Sequence, residues 1–363
     1  MKELLFKDLE MSGGGECVLV TGGTGYIGSH TVVELLDAGY KPVVLDSLVN
    51  SSETCIDRIE DITGHKVPFH HVDLLNQEDV DKVFDKYTFS CVIHFAGLKA
   101  VGESTKKPLK YYRNNVNGTL NLLESMQAHQ VHNIIFSGSC TVYGEPQYVP
   151  LDEKHPVGGI TSPYGKTKSI IEDILCELCN KDQRWNAVSL RYFNPVGAHK
   201  SGMIGEDPLG IPNNIMPFIA QVAVGKQPEL KVFGQDYPTP DGTCIRDYVH
   251  VVELSKGHVA AINKLRERCS WKTYNLGTGK GYSVLELVKA FEKASGLVIP
   301  YSIVGRREGD VPQSYANSSL AREELTWQAV AHIDEMCEDV WRWQSRNPHG
   351  YHSPPAMTNG LDK

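Results

Sequence analysis

From Cys17 onward, short apolar blocks alternate with stretches in which apolar residues recur every three to four positions, and this alternation predicts strand, helix, strand. Cys17 to Val20 reads as a strand, a glycine turn follows, Ile27 to Ala38 carries helical spacing, and Pro42 to Leu45 is apolar again. The succession returns at Val92 to Phe95, Pro108 to His129 and Asn133 to Ser137, and once more at Ser162 to Asn180 followed by Val188 to Phe193. Repeated βαβ units imply an α/β fold built on a parallel, doubly wound sheet. Past Tyr192 the texture turns Pro- and Gly-rich, as in Asn194 to Asn214 and Tyr237 to Gly242, which predicts a smaller mixed α/β domain.

The expected organisation is a nucleotide-binding domain over residues 16–193 and a second domain over 194–347. Residues 249–277 cross back to the first domain, because Val249 to Leu265 and Thr273 to Gly277 again read as helix and strand. Residues 1–15 close on Ser12-Gly13-Gly14-Gly15 after a second methionine and read as a flexible leader, and 348–363 as a tail.

Composition narrows the classes. With 41% hydrophobic and 22% charged residues the chain is an ordinary globular protein. A net charge of -8 with no basic run excludes the footprint of a nucleic-acid or membrane-surface binder, so an anionic ligand must be held by a few placed arginines. Nine scattered cysteines, an odd count, fit reduced thiols and a cytoplasmic protein. No signal-peptide pattern opens the chain, and no apolar run is long enough to span a membrane.

The candidate chemistry begins at Thr21-Gly22-Gly23-Thr24-Gly25-Tyr26-Ile27-Gly28, where Gly22, Gly25 and Gly28 stand three apart between a strand and a helix. Small residues there let backbone N–H groups approach a pyrophosphate at the positive end of the helix, the Rossmann arrangement. Asp46, eighteen residues beyond Gly28, stands where a carboxylate accepts from adenosine ribose hydroxyls and repels a 2′-phosphate, so NAD is expected rather than NADP. Tyr164 and Lys168 lie four apart, on one face of a predicted helix. A free phenol titrates at about 10; a neighbouring ammonium, together with the positive nicotinamide ring, stabilises the phenolate and makes Tyr164 a base tuned by Lys168.

With the glycine spacing, this chain resembles the extended short-chain dehydrogenase/reductase family, and within it the UDP-galactose 4-epimerases, over about residues 16–347. The resemblance implies that Tyr26, Ile27, Asn50, Asp73, Leu74, Phe95, Ala96, Gly97, Lys99, Asn114 and Tyr192 line the rest of the NAD groove. It also implies that Ser139, twenty-five residues before Tyr164, can hydrogen-bond the sugar 4-OH, whose proton reaches Tyr164 through Ser139 or directly. Four segments resemble those that hold a UDP-sugar: Arg191 to Pro195, Ile211 to Asn214, Gly242 to Tyr248 and Arg306 to Asp310. By resemblance Lys99, Phe193, Asn194, Asn214, Ile215, Lys231, Phe233, Arg246, Arg307, Asp310 and Ser314 contact substrate. Arg246 and Arg307 supply the guanidinium forks that suit a diphosphate.

The implied reaction oxidises C4 of a UDP-hexose to a ketone, lets the sugar turn and reduces it on the other face, with no metal and no net redox partner, as in galactose metabolism. A homodimer through Pro108 to His129 and Ser162 to Asn180 is expected by resemblance. Two departures stand out: the family usually has Ser and Ala where this chain has Gly138 and Cys140, and the missing hydroxyl is expected to weaken a sugar contact. Ser314 stands where relatives carry tyrosine or cysteine and leaves room for a 2-acetamido group, so UDP-N-acetylhexosamines are expected substrates too. A 4,6-dehydratase would need an Asp-Glu pair where Cys140 and Thr141 stand. An inactive NAD sensor is opposed by the intact Ser139, Tyr164 and Lys168, and a zinc or redox module on Cys176-x-x-Cys179 lacks a second ligand pair.

Overall fold

The computed structural model describes residues 15–307 and 309–352. The expected leader, except Gly15, and residues 353–363 of the expected tail lie outside the described residues.

The first half winds strands and helices in turn: β1 (Cys17–Thr21), α1 (Tyr26–Asp37), β2 (Lys41–Asp46), α2 (Thr54–Thr63), β3 (Phe69–His71), α3 (Gln77–Phe84) and β4 (Cys91–His94). Then come α4 (Val101–Lys106), α5 (Pro108–Tyr111), α6 (Gly118–Ala128), β5 (Asn133–Ser139), α7 (Pro163–Lys181) and β6 (Asn186–Tyr192). A π-helical stretch, Tyr112–Asn117, joins α5 to α6 in one continuous rod. Wide turns of this kind often sit at functional positions, and this one holds Asn115 in the interior.

The second half contributes β7 (Asn194–Val196), α8 (Ile215–Ala223), β8 (Leu230–Phe233), β9 (Ile245–His250), α9 (Val251–Arg266), β10 (Trp271–Leu276) and β11 (Gly281–Ser283). It ends with α10 (Val284–Ser295), β12 (Tyr301–Val304), β13 (Gln313–Ser314), α11 (Ser319–Leu325) and α12 (Ile333–Arg346). Seven strands form one parallel sheet in the order β3-β2-β1-β4-β5-β6-β10, so β10 joins the first half from far along the chain. This is the doubly wound, Rossmann-like α/β sheet expected from the alternation.

Strand alternation explains the two cores. Val18 and Val20 of β1 face α1 and α9, with Val32, Val33, Leu254 and Ala261; Leu19 faces the other way, onto Val92, Phe136, Leu122 and Leu175. Both faces of the sheet are therefore dry, and consecutive strand residues are apolar. A separate cluster, with Met216, Ile219, Val232, Leu287, Phe291, Met336 and Val340, holds α8, α10 and α12 together. Strand order reverses between β1 and β4, the point at which doubly wound sheets form a ligand crevice at the carboxyl ends of their strands.

Candidate active site

The turn from β1 to α1 is fixed by close approach. Gly22 has φ +70°, and a Cβ on it would stand 2.6 Å from the Ala96 nitrogen. A Cβ on Gly28 would collide with the Gly22 carbonyl. Gly25 caps α1 without a side-chain bond, and no acid occupies the first turn, so the positive helix end meets the crevice uncompensated. Asp46 closes this loop from the tip of β2: Oδ2 accepts from the Thr24 amide at 3.2 Å, and Oδ1 from the Leu48 amide and the Ser51 hydroxyl at 2.9 and 3.1 Å.

The flanking residues are mostly anchors. Tyr26 donates to the Gly197 carbonyl at 2.7 Å, Leu74 accepts from Asn121, and Phe95 lies 4.7 Å from the His258 ring. Phe95 and Ala96 donate their amides to the Thr21 carbonyl, and Gly97 packs on Asn115. Asn114 donates to its neighbour Asn115, which clamps both backbone groups of Leu98. Asp73 caps its own loop at the Leu75 amide, and Asn50 accepts from the Leu209 amide across the crevice.

At the carboxyl ends of β5 and β6, Ser139 stands beside Tyr192 in register. Tyr164 opens α7, whose first turn is set by Pro163 and by the Ser162 hydroxyl accepting from the Gly165 amide. Lys168 follows one turn later, its Nζ 5.9 Å from the Tyr164 ring, and donates to the Ser137 carbonyl and hydroxyl at 2.7 and 3.0 Å. Burial pushes the Tyr164 phenol up to about 12, with the Ser139 hydroxyl opposing it and Cys140 adding to it. Burial also lowers the Lys168 ammonium from 10.5 to about 7, against the attraction of Glu172. Desolvation is thus the largest influence on both Tyr164 and Lys168.

Tyr192 hydrogen-bonds His258 Nε2 at 2.5 Å, while His258 Nδ1 lies 2.9 Å from the Leu254 carbonyl. A carbonyl only accepts, so Nδ1 carries the hydrogen and Nε2 accepts from Tyr192; burial holds His258 down at about 4, in the neutral form. One expectation is corrected at Gly138. A Cβ there would lie 2.5 Å from Ser189 Oγ and 2.9 Å from the Leu190 carbonyl. Strand alternation turns position 138 away from Ser137 and Ser139, so its lost hydroxyl costs no sugar contact.

The far wall gathers from four loops and strands. Arg307 forks onto Asp310 at 2.8 and 3.1 Å, and its guanidinium lies 5.5 Å from the half-exposed Phe233 ring. Arg246, on β9, donates to the Ile245 and Val311 carbonyls and reaches Asp310 at 3.7 Å. Ser314 pairs with Arg246 across β13 and β9, and Asn194 donates to the Asp247 carbonyl at 3.0 Å. Lys99 pairs with Glu206 at 2.9 Å, and Asn214, ahead of Ile215 at the start of α8, reaches the same carboxylate at 3.4 Å. Phe193 is buried against Val142 and Leu151, and Lys231 pairs with Glu229 and Ser302 at the outer edge.

Sequence reasoning passed over Glu206, Ser137, His258 and Asp247. The buried Asp247 holds the Thr278, Gly279 and Ala316 amides and so carries the β9 wall. None has a spacing signal, because each is recruited by a partner far along the chain.

A model of the family described as GDP-mannose 4,6 dehydratase matches residues 19–340. The chain is 60% identical to the UDP-glucose 4-epimerase of Mus musculus over 342 residues, covering 93% of this chain and 99% of that one. It is 56% identical to the Bacillus subtilis UDP-glucose 4-epimerase, covering 93% and 99%. The crystal structure of the Bifidobacterium longum UDP-glucose 4-epimerase, in complex with NAD+ and UDP, superposes with a TM-score of 0.89 at 51% identity, covering 92% of this chain and 99% of that one.

Proposed function

The chain belongs to the UDP-glucose 4-epimerase family, and from that premise we propose that it interconverts UDP-galactose and UDP-glucose by inverting C4 of the hexose, with NAD as its cofactor. The observation that carries this reading is that Tyr164 faces both Ser139 and Lys168, in a chain that also forms the glycine turn and gathers Arg246 and Arg307 on Asp310.

The residues fit NAD: a glycine cradle that a Cβ would fill, an uncapped helix start for a pyrophosphate, and Asp46 at the tip of β2 for ribose hydroxyls. Gly22, Gly25, Tyr26, Ile27, Gly28 and Asp46 would hold one half and Asn114, Tyr164, Lys168 and Tyr192 the other. When bound, NAD supplies a two-electron acceptor for C4 that gives the electrons back. Tyr164 would take the proton of the 4-OH as C4 gives up its hydrogen with the electron pair, leaving a 4-keto sugar, and would return the proton to O4 when C4 is reduced on its other face. Arg246 and Arg307 leave Asp310 for the diphosphate, so the grip falls on UDP and the hexose is free to turn.

An elimination of the dehydratase kind would need carboxylates beside Ser139, where Cys140 and Thr141 stand. Ser314, on the wall beside Arg246, supports turnover of UDP-N-acetylhexosamines as well. Exposed Leu109 and Leu120 on the α5–α6 rod support a homodimer across that face, and nine free thiols support a cytoplasmic setting. Among the described residues no helix is long and apolar enough to cross a membrane.

Purified protein given UDP-galactose, without added NAD, is expected to form UDP-glucose by NMR, and Tyr164→Phe to abolish it. Folded protein that converts nothing even when NAD is supplied would overturn the reading. UDP-N-acetylgalactosamine in the same assay decides the Ser314 proposal.

A further inference from the structure

We propose that Thr141 is a positioning residue for this reaction, whose hydroxyl donates to Ser139 Oγ and thereby commits the Ser139 proton to the Tyr164 phenol oxygen. The proposal rests on the epimerase reading. Ser139 ends β5, and the turn that follows brings two donors back onto its oxygen: the Thr141 amide at 3.3 Å and the Thr141 hydroxyl at 2.9 Å. A hydroxyl oxygen has two lone pairs and one hydrogen. With both lone pairs taken, Ser139 is left with its hydrogen alone to offer.

The receiver is fixed by the other side of the site. Ser139 faces Tyr164, whose phenol it helps to lower against burial, as a hydroxyl donating to the phenolate would. Thr141 is itself seated on the turn that carries Tyr164: a Cβ on Gly165 would stand 3.4 Å from Thr141 Oγ1. Strand end, turn and helix start are therefore tied through one threonine. The phenol also faces Lys168 on its own helix, Cys140 in the turn, Tyr192 from β6 and Tyr111 from α5.

A consequence follows for the proton path. A relay through Ser139 would need a free lone pair to accept the sugar 4-OH, and Thr141 occupies it. The O4–H proton therefore passes directly to the Tyr164 oxygen, while Ser139 keeps its own proton and steadies the charge. The reverse step returns the same proton from Tyr164 to O4.

The test compares Thr141→Val, which keeps the shape and removes the hydroxyl, with Thr141→Ser, which keeps the hydroxyl. In wild type active on UDP-galactose, Thr141→Val is expected to lower kcat about tenfold with KM within about twofold, because general acid–base geometry is lost and UDP contacts remain. In protein labelled at the tyrosine Cζ with 13C, the resonance that disappears in Tyr164→Phe is expected to titrate at higher pH in Thr141→Val. Thr141→Ser restores both. A titration that moves down, with equal or faster turnover, means that Ser139 donates to Thr141 instead and overturns the proposal; so does no change, or no rescue by serine. If Thr141→Val does not fold, Thr141→Ala carries the same expectations. Wild type that converts no UDP-galactose brings down the epimerase reading itself, and this proposal with it.

Discussion

The two ends of the crevice are built on different principles. At the cofactor end, shape comes from backbone: glycines that admit no Cβ, an uncapped helix start, and Asp46 tied to three donors. At the nucleotide end, it comes from long side chains on loops, and every cation there already has a carboxylate: Arg307 and Arg246 share Asp310, and Lys99 holds Glu206. The first end is ready for a ligand; the second must trade an internal partner for one. Preorganised donors lose little freedom on binding, whereas exchanged ion pairs return only a difference.

Gly28→Ala should break the first end most severely. Its Cβ would meet the backbone of Gly22 and Gly23, with no flexible side chain to yield, so a cost of about 4 kcal/mol or more is expected, with cofactor lost on gel filtration. Thermal denaturation of the purified variant measures it. A near-native melting temperature with cofactor retained would show that the turn is softer than the contact implies.

That steric economy is also why the cofactor end was legible in the sequence. Glycine spacing, an acid at the next strand end and a Tyr–Lys pair one turn apart are local patterns set by period and close approach. Strand alternation likewise gave the sheet, although α2, α3 and β3 were passed over. The nucleotide wall was legible only by resemblance. Arg246 and Asp310 are 64 residues apart in the chain, and nothing local says that they meet at 3.7 Å or that Asp310 serves two arginines. Gly138 shows the converse error: a motif comparison supplied a hydroxyl, and strand alternation points it into Ser189.

Lys168 lies between the two ends and gives the next largest effect. Its folded value of about 7 is below the ordinary 10.5, so the unfolded chain binds more protons between those limits. Stability should therefore rise with pH across about 7 to 10.5, by at most about 1.4 kcal/mol per unit, with the full penalty present below 7. Lys168→Met removes that contribution, so its denaturation midpoint in urea should exceed that of wild type at pH 6 and converge with it toward pH 10. A variant less stable at pH 6 would mean that the bonds to Ser137 outweigh desolvation.

At the nucleotide end, Arg246→Ala should weaken UDP binding by about 2 kcal/mol in calorimetry, the scale of a charge-assisted fork, while leaving the fold intact. Arg246→Lys should recover only part, since a point charge cannot span two phosphate oxygens. Loss of folded protein instead would assign Arg246 to the frame, through its bonds to the Ile245 and Val311 carbonyls.

The smallest effect has the opposite sign. If Glu206 only holds Lys99 and Asn214 until a ligand arrives, Glu206→Gln keeps an acceptor and removes the competing charge, so UDP should bind more tightly. Lys99 is close to half exposed, so water and salt screen the pair and the gain should stay below about 1 kcal/mol. It should shrink further as salt is raised, because the competing attraction is itself screened. Weaker UDP binding in Glu206→Gln would mean that the Lys99–Glu206 pair is part of the built wall, and that exchange at this end is confined to Asp310 and its two arginines.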